Sequence, residues 1–406
     1  MSKKMYAYCG NWNFHPADKG ISCYHYYEDG TLELIETVHP EIAAGQCWIH
    51  PEKPILYVVN EKGDLDGKMG GGGYVMAFAI DEATGKLTQM SRISSLCSEP
   101  CYVVVDKSRR HVLVSQHADP FYVTKVVRHA DGTWGNEIIM EDAGLLLVGL
   151  NEDGSLGDIQ DVYITKSNGS IGREGRKLVD PVTGHVQLTR VISRQHSVMP
   201  SPSGNIYVVC DKGMDRVYTF GVDDENNELK LLDTYVDDYG VFPRYSTFHP
   251  TKPILYTNNE RRCEIHVFTY DDSTGKINNI QKVDILTDEY KGKQYAITCR
   301  PMGAQDILAH PNGKVVYCTI EGGDNLLAVL AVQEDGTLKL VQNIDCEGIM
   351  PRGICISPDG KYLLSGNLTS GDITVFAIDD DGMLSYTGRK YESVSPSAIR
   401  IYTVKD

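Results

Sequence analysis

The chain of 406 residues has no run of eighteen apolar residues, which argues against a transmembrane helix. Its first ten residues, MSKKMYAYCG, contain two lysines but no apolar stretch behind them, so the sequence predicts no secretory signal. Basic residues are also scarce, because 39 Lys and Arg stand against 55 Asp and Glu, and the net charge is −16. Nucleic acids and anionic membrane surfaces require a basic face, so we expect neither as a partner. Because no secretory signal is predicted, we expect a cytoplasmic location.

Paired cysteines and metal-binding motifs are missing as well. The eleven cysteines include no CxxC pair, which predicts small buried apolar residues in a reducing compartment rather than a disulfide framework. There is no GxSxG elbow, no HExxH helix and no Cys/His cluster with zinc spacing. The Gly-rich MGGGGY (69–74) lacks the Lys-Ser/Thr of a phosphate loop, and DLDGKMG (64–70) lacks the downstream Glu of a calcium loop. The sequence therefore predicts no metal and no cofactor.

What the chain does contain is a repeated phrase. HPEKPILYVVNE (50–61) returns as HPTKPILYTNNE (249–260), and weaker copies are SPSGNIYVV (201–209), HPNGKVVYC (310–318) and SPDGKYLLS (357–365). Each copy is a turn followed by a short apolar strand. A second phrase, such as GYVMAFAIDEATGKLT (73–88), then places an acidic turn between two alternating strands, which indicates a hairpin. Four short strands in about 50 residues are typical of a propeller blade.

The repeats predict the whole architecture. A more worn copy of the phrase is DKSRRHVLVS (106–115). The second residue of each phrase serves as an anchor, and six anchors occur at Pro51, Lys107, Pro202, Pro250, Pro311 and Pro358. The N-terminal strands and the C-terminal SPSAIRIYTV (395–404) complete a further blade, which closes the ring and removes free sheet edges. We therefore predict an all-β, seven-bladed β-propeller of four-stranded antiparallel blades. The N- and C-terminal strands share one blade, and residues 1–406 form a single domain.

One interval between anchors is almost twice the usual length. Ninety-five residues separate Lys107 from Pro202, which leaves room for an eighth blade or for an insertion. We favour an insertion at about 118–144, because no further turn-and-strand anchor lies in the interval. The polar, Gly-rich segment 168–185 is predicted to be an exposed loop.

Equal offsets from the anchors predict equivalent places around the propeller axis. Ten residues after the anchor lie Glu61, Glu260 and Glu321, with His117 at the same phase and Asp211 one residue short. Six residues before it lie Gly45, Cys101, His196, Arg244, Gln305 and Arg352, and Ser397 has the similar phase in the closing blade. We expect these residues at the mouth of a central channel. They can bind a carboxylate or an oxyanion there, or serve only as a structural network of paired polar groups.

Three segments resemble a known family. RQHSVMPSPSGNIYVVCDKGMDRVYTF (194–220), FPRYSTFHPTKPILYTNNE (242–260) and MPRGICISPDGKYLLSGN (350–367) are similar to the lactonase family of seven-bladed propellers. That family includes propeller-type 6-phosphogluconolactonases of bacteria and carboxy-muconate lactonising enzymes of fungi. The resemblance extends over the whole chain apart from 118–144 and 168–185. It implies a propeller that acts on sugar-acid or related lactones, usually without an obligatory metal.

The resemblance also implies roles for particular residues. His196, Arg244 and Glu260 match the catalytic positions, and Arg352 matches a substrate-binding position. Further substrate-binding candidates, from the resemblance and from the offsets, are Arg300, Gln305, Asp306, Arg194, Tyr245 and Glu61. The chain departs from the family at Arg194, where a first histidine is common, and at Tyr245, where histidine is common after the arginine.

The expected activity is hydrolysis of a sugar-acid lactone in carbohydrate metabolism. His196 or Glu260 would activate water as general base, and Arg244 would bind the acid group and stabilise the oxyanion. A lyase or cycloisomerase acting on a sugar acid or a muconate-type carboxylate is an alternative, and a non-catalytic binding platform is a third. The expected partner is a small anionic or sugar-derived molecule, bound by a monomer or a homodimer.

Overall fold

A computed structural model describes residues 3–12, 20–65, 68–69, 72–118, 122–165, 176–179, 186–189, 192–238, 240–291 and 303–405. These residues form strands and turns, and they include no helix that is long and apolar enough to cross a membrane. Seven four-stranded antiparallel sheets make up the fold, which confirms the prediction of an all-β, seven-bladed propeller.

Blades are numbered here by the chain order of their innermost strands, and strands are given from the axis outward. Blade 1 consists of Ala44–Ile49, Ile55–Asn60, Tyr74–Ile80 and Leu87–Ser94. Blade 2 consists of Pro100–Val105, His111–Gln116, Ala143–Leu150 and Leu156–Thr165. Blade 3 consists of Gln195–Pro200, Tyr207–Asp211, Arg216–Asp223 and Glu228–Val236. Blades 4 and 5 are Pro243–Phe248, Ile254–Asn259, Glu264–Tyr270 and Ile277–Asp284; and Gly303–Ala309, Val315–Glu321, Leu326–Val332 and Leu338–Asp345. Blades 6 and 7 are Pro351–Ile356, Tyr362–Asn367, Asp372–Ile378 and Leu384–Glu392; and Pro396–Thr403, Met5–Asn11, Ile21–Tyr26 and Leu32–Val38.

The ring closes through blade 7, as predicted. Its innermost strand, Pro396–Thr403, pairs antiparallel with Met5–Asn11, so the two ends of the chain share one sheet. The same strand also contacts the innermost strands of blades 6 and 1, and every other innermost strand contacts those of its two neighbours. Apolar residues of adjacent blades pack into the seams between them, and in blade 5 the first five residues of the outermost strand alternate between less and more exposed positions.

The long interval between Lys107 and Pro202 holds one blade, not two. A two-stranded hairpin, Tyr122–Arg128 with Trp134–Met140, lies between the second and third strands of blade 2. The segment predicted as an exposed loop, 168–185, contains part of a second hairpin, because Arg176–Val179 pairs with Val186–Thr189. The remaining residues of that segment lie outside the described ones.

The repeated phrase recurs because its tyrosine joins neighbouring blades. Tyr57 donates its hydroxyl hydrogen to the carbonyl oxygen of Gly154, and Tyr256 donates to that of Gly336. Each glycine belongs to the acidic turn of the next blade and has φ +87°, a left-handed conformation that favours glycine. Tyr317 and Tyr8 make the same bond to the next blades. At three seams the bond therefore joins the first phrase of one blade to the second phrase of the next.

The hairpins that are added to the regular blades lie on one face of the propeller. The second strand of each blade ends, and the first strand begins, at this face because neighbouring strands are antiparallel. The hairpins at 122–140 and 176–189 both connect strands here, and so does the small hairpin Asp64–Leu65 with Lys68–Met69. At the opposite face blades 1 and 2 have short turns, such as 50–54 and 106–110. Elaborated loops above a rigid ring are the usual place for a binding site.

Candidate active site

The seven innermost strands share an irregularity at this face. In each of them the pairing register shifts near the first residues, which takes one or two residues out of the regular ladder. β-Bulges re-aim side chains and are common beside active sites. The residues at these shifts are Gly45, Cys101, His196, Arg244 with Tyr245, Gln305 with Asp306, Arg352 and Ser397. The offset found in the sequence therefore corresponds to one repeated backbone feature around the axis.

A buried ion cluster lies at the mouth on the side of blades 3 and 4. Arg244, 1 % exposed, has its Nε 3.3 Å from Oε2 of Glu260, at an angle that makes an ion pair rather than a hydrogen bond. Lys212 donates to the same oxygen at 3.0 Å. Arg244 also donates from its terminal nitrogen to the backbone oxygen of Gln305, which fixes the guanidinium between blades 4 and 5. Two cations thus meet one carboxylate.

The protonation states of this cluster follow from its contacts. Burial alone would raise the pKa of Glu260, but Lys212 and Arg244 hold that pKa well below its usual range. Burial lowers the pKa of Lys212, although Glu260 opposes the shift. A carboxylate held ionised by two cations is a weak general base. Of the two candidate bases from the sequence, Glu260 therefore fits charge placement better than proton transfer.

His196 lies beside this cluster and is 3 % exposed. Burial, together with the positive charges of Arg244 and Lys212, lowers the pKa of His196 well below its ordinary value. The ring is therefore neutral near neutral pH and can accept a proton. Its Nδ1 is buried without a hydrogen-bond partner among the described residues. The structure thus brings His196, Arg244 and Glu260 together at the mouth.

Tyr245 forms the wall between the histidine and the arginine. Its ring packs edge-on against His196 at 5.5 Å, and the guanidinium carbon of Arg244 lies 4.5 Å from the ring centroid. A second tyrosine, Tyr102, packs edge-on against it from blade 2 at 5.1 Å. Burial raises the pKa of Tyr245 to about 12, so the phenol stays neutral. Where the family often has histidine, this chain has an aromatic wall with no titratable group near pH 7.

A second carboxylate, Glu61, lies at the mouth on the side of blade 1. Its Oε1 is 3.8 Å from a terminal nitrogen of Arg352, and its side chain is 8 % exposed. Burial, with help from Glu99, raises the pKa of Glu61 to about 7 against the pull of Arg352. The guanidinium of Arg352 stacks on Trp12 at 4.0 Å, and Trp12 packs with Leu368 in an apolar patch. The mouth therefore has a charged side and an apolar side.

Gly45 leaves the space in which the Glu61 carboxylate lies. A Cβ atom at position 45 would lie 1.9 Å from Oε2 of Glu61. We expect Gly45→Ala to displace the carboxylate and its contact with Arg352, and to lower kcat/KM about tenfold or more by misplacing groups at the mouth. Gly221→Ala is the matched control, because a Cβ there meets nothing closer than 3.6 Å. Steady-state kinetics check the prediction, and equal rates for both variants would contradict it.

The other predicted substrate-binding residues take different positions. The Asp306 carboxylate accepts the backbone N–H groups of Ile307 and Ile354, which joins blades 5 and 6, and burial raises its pKa. Arg194 donates its backbone N–H to Asp211 and is half-buried. Gln305 is buried at the mouth with its backbone bound to Arg244. Arg300 lies outside the described residues.

Sequence reasoning missed two charged residues. Lys212 lies ten residues after the anchor Pro202, the phase of Glu61 and Glu260, but the acid predicted for the mouth in this blade is its neighbour Asp211. The Asp211 carboxylate instead accepts the hydroxyl hydrogen of Ser193 and backbone N–H groups from its own turn, so it serves structure. Glu99 lies eight residues before Lys107, the phase of Arg194 in the next blade. Equal offsets could have found both.

One group of potential metal ligands occurs among the described residues, away from the mouth. Ligand atoms of Asp106, His111 and Asp224 lie within 4.8 Å of one another. His111 binds Asp106 through Nδ1 at 3.1 Å and Asn227 through Nε2 at 3.0 Å, and Asp106 also accepts backbone N–H groups. These internal hydrogen bonds account for the group. The ten described cysteines form no disulfide, and all except Cys97 are buried.

The fold and the mouth together define a seven-bladed propeller with a polar, partly charged site on the axis. A family model described as "Lactonase, 7-bladed beta-propeller" matches residues 8–401, so the chain belongs to that family. The chain is 25 % identical over 348 residues to a 6-phosphogluconolactonase of Bacillus subtilis, covering 86 % of this chain and 81 % of that protein. A 6-phosphogluconolactonase of Serratia proteamaculans is 23 % identical over 369 residues, covering 90 % and 89 %. The solved structure of a periplasmic gluconolactonase of Pseudomonas aeruginosa superposes with TM-score 0.79 at 23 % identity, covering 98 % and 99 % of the two chains.

Proposed function

We propose that the protein hydrolyses an anionic lactone of a sugar acid, such as 6-phosphogluconolactone. The observation that carries the proposal is the convergence of Arg244 and Lys212 with a neutral imidazole at one buried mouth. An acid group can bridge the two cations as Glu260 does, with charge-assisted hydrogen bonds. Relatives from two bacteria carry the name 6-phosphogluconolactonase, which supports the same class of reaction.

The chemistry requires a base, an oxyanion site and a proton donor. A neutral imidazole takes a proton from water while the water oxygen attacks the lactone carbonyl carbon. Cationic N–H donors of Arg244 or Lys212 stabilise the oxyanion that forms. The ring C–O bond then breaks, and the imidazolium returns the proton to the leaving oxygen. The product is a hydroxy acid, and no metal or redox step is needed for the balance.

Acid release, followed by pH-stat, tests this proposal against 6-phosphogluconolactone, glucono-lactone and other lactones. We expect turnover of at least one lactone, and Lys212→Met should lower kcat/KM for the phosphorylated lactone about 10- to 100-fold, more than for glucono-lactone. The reason is that Lys212 carries one of the two charges available to the phosphate. No acid release from any lactone would overturn the proposal.

Isotope labelling separates hydrolysis from the lyase or cycloisomerase alternative. Hydrolysis in H₂¹⁸O transfers one labelled oxygen atom to the product carboxylate, whereas isomerisation transfers none. Mass spectrometry of the product reads the difference directly. An unlabelled product of unchanged mass would replace the hydrolase with an isomerase in the same site.

A further inference from the structure

A carboxylate–histidine pair lies in the mouth beside His196. Nδ1 of His117 is 2.8 Å from Oε2 of Glu99, and the same nitrogen is 3.1 Å from the backbone oxygen of Ala118. His117 follows the second strand of blade 2, whereas Glu99 immediately precedes the first strand of the same blade. The ring of His117 packs edge-on against His196 at 5.3 Å, so both histidines belong to one site.

The two partners of His117 fix its tautomer. A carboxylate oxygen and a carbonyl oxygen can only accept hydrogen bonds, so Nδ1 must carry the proton that it donates to them. In a neutral imidazole, Nε2 then carries the lone pair. A histidine oriented by a carboxylate at one nitrogen, with a basic second nitrogen, is the arrangement that general bases use. His196 has no such orienting contact at Nδ1 among the described residues.

The charges around the pair keep it in the working state. Burial, together with Lys212, lowers the pKa of His117 to about 4, although Glu99 opposes the shift. Arg194 acts in the same direction as Lys212, and His196 lies against the ring. Burial opposes ionisation of Glu99, but the hydrogen bond from His117 lowers its pKa. At neutral pH the pair is therefore an ionised carboxylate with a neutral imidazole.

From this geometry we infer that His117 is the general base of the reaction, and that Glu99 is the residue that positions it. The inference rests on the proposed function. Nε2 of His117 accepts a proton from the attacking water, and the water oxygen bonds to the lactone carbonyl carbon. When the ring C–O bond breaks, the imidazolium gives the same proton to the leaving oxygen, which restores neutral His117. His196 and Tyr245 then form the wall that confines the substrate.

The same blade supplies a matched control. His111 begins the strand that His117 follows, and it is bonded through Nδ1 to a buried carboxylate, Asp106, at 3.1 Å. The two histidines are separated by six residues of extended chain, about 20 Å, so His111 lies near the opposite face. Replacing either histidine removes a ring bonded to a carboxylate from the same blade. Only one of these rings is at the mouth.

Steady-state kinetics of His117→Gln, Glu99→Gln and His111→Gln test the assignment, with the lactone that the wild type hydrolyses fastest. We expect kcat to fall about 10²- to 10⁴-fold for His117→Gln with little change in KM, as for other general bases, and less for Glu99→Gln. His111→Gln should keep wild-type kcat.

The pH profile of kcat/KM, after subtraction of the uncatalysed rate, gives a second test. In the wild type kcat/KM should fall as pH falls through about 4, and His196→Ala, though slower, should show the same fall. His117→Gln should have no plateau and a rate proportional to hydroxide.

Each outcome decides one question. Hydrolysis that is equally fast in His117→Gln and the wild type would overturn the assignment of the base and leave the proposed function in place. Loss of the acidic limb in His196→Ala would give the role to His196. Absence of turnover in the wild type would overturn the proposed function and the base together. Imidazole ¹⁵N spectra, with the signals assigned by His117→Gln, should show protonated Nδ1 in the wild type, and a protonated Nε2 would contradict the tautomer independently of any assay.

Discussion

Arg244→Met should abolish nearly all turnover, with kcat/KM lowered by about 10³-fold or more, because in the proposed mechanism this one side chain supplies both substrate binding and oxyanion stabilisation. Arg244 is 1 % exposed and meets Glu260, Tyr245 and the Gln305 backbone at once. Methionine fills similar volume without charge. Arg244→Lys keeps the charge but not the planar fork, so we expect an intermediate loss.

The same substitution should also destabilise the fold. Removing one partner of a buried ion pair leaves the other charge incompletely compensated, which costs about 3 kcal/mol in comparable sites. Lys212 still contacts Glu260 and compensates part of its charge, so we expect the loss in the free energy of unfolding to be no larger than this. The double variant Arg244→Met with Glu260→Gln should recover part of the free energy of unfolding and none of the activity. Urea unfolding and kinetics on the same samples separate the two effects, and recovery of activity in the double variant would contradict a direct role for Arg244.

Glu61→Gln should remove a pH dependence from the free energy of unfolding. The pKa of Glu61 rises from 4.5 to about 7 on folding, so the folded state binds its proton more tightly than the unfolded state does. That stabilisation is complete below pH 4.5 and is lost as pH rises through 7. Relative to the wild type, Glu61→Gln should therefore gain about 3 kcal/mol between pH 4.5 and pH 8, at 1.36 kcal/mol for each pKa unit.

Denaturant unfolding of both proteins from pH 4.5 to pH 8 gives the difference between their free energies of unfolding. The contributions of the other titrating groups, which both proteins share, cancel in this difference. Arg352→Met is the matched variant, because Arg352 pulls the pKa of Glu61 down and its loss should move the change to higher pH. A constant difference across the range would show that Glu61 does not titrate there. A gain by the wild type with rising pH would show that Arg352 outweighs burial.

Much of the fold could be predicted from the sequence, because each blade repeats the same pattern of strands and turns and packs against its neighbours in the same way. The tyrosine of the first phrase and the glycine of the second meet across three seams, as Tyr57 and Gly154 do. The hairpin Tyr122–Arg128 with Trp134–Met140 leaves the ring unchanged, because it is added between two strands at the loop face. The strands within 176–189 could not be foreseen, since a polar, Gly-rich segment has no periodicity that predicts pairing.

The sequence by itself determined which residues reach the mouth. His196, Arg244 and Arg352 share one offset because they share one bulge, and a repeat places equal offsets at equal radius. Offsets along the chain do not say what faces each residue across a seam or across the axis. For that reason the pair of Glu99 with His117, and the meeting of Lys212 with Glu260, came only from the structure.

Glu61 and Glu260 show the division most clearly, since both end the same repeated phrase. Their positions followed from the sequence, and their protonation states did not. Glu260 meets Lys212 from the neighbouring blade and Arg244 from its own, and its pKa falls well below the usual range. Glu61 lies in the space left by Gly45, with one arginine at 3.8 Å, and its pKa rises to about 7. Tertiary structure decided the difference, because burial and neighbouring charges, and not the repeated phrase, set the free energy of ionisation of each carboxylate.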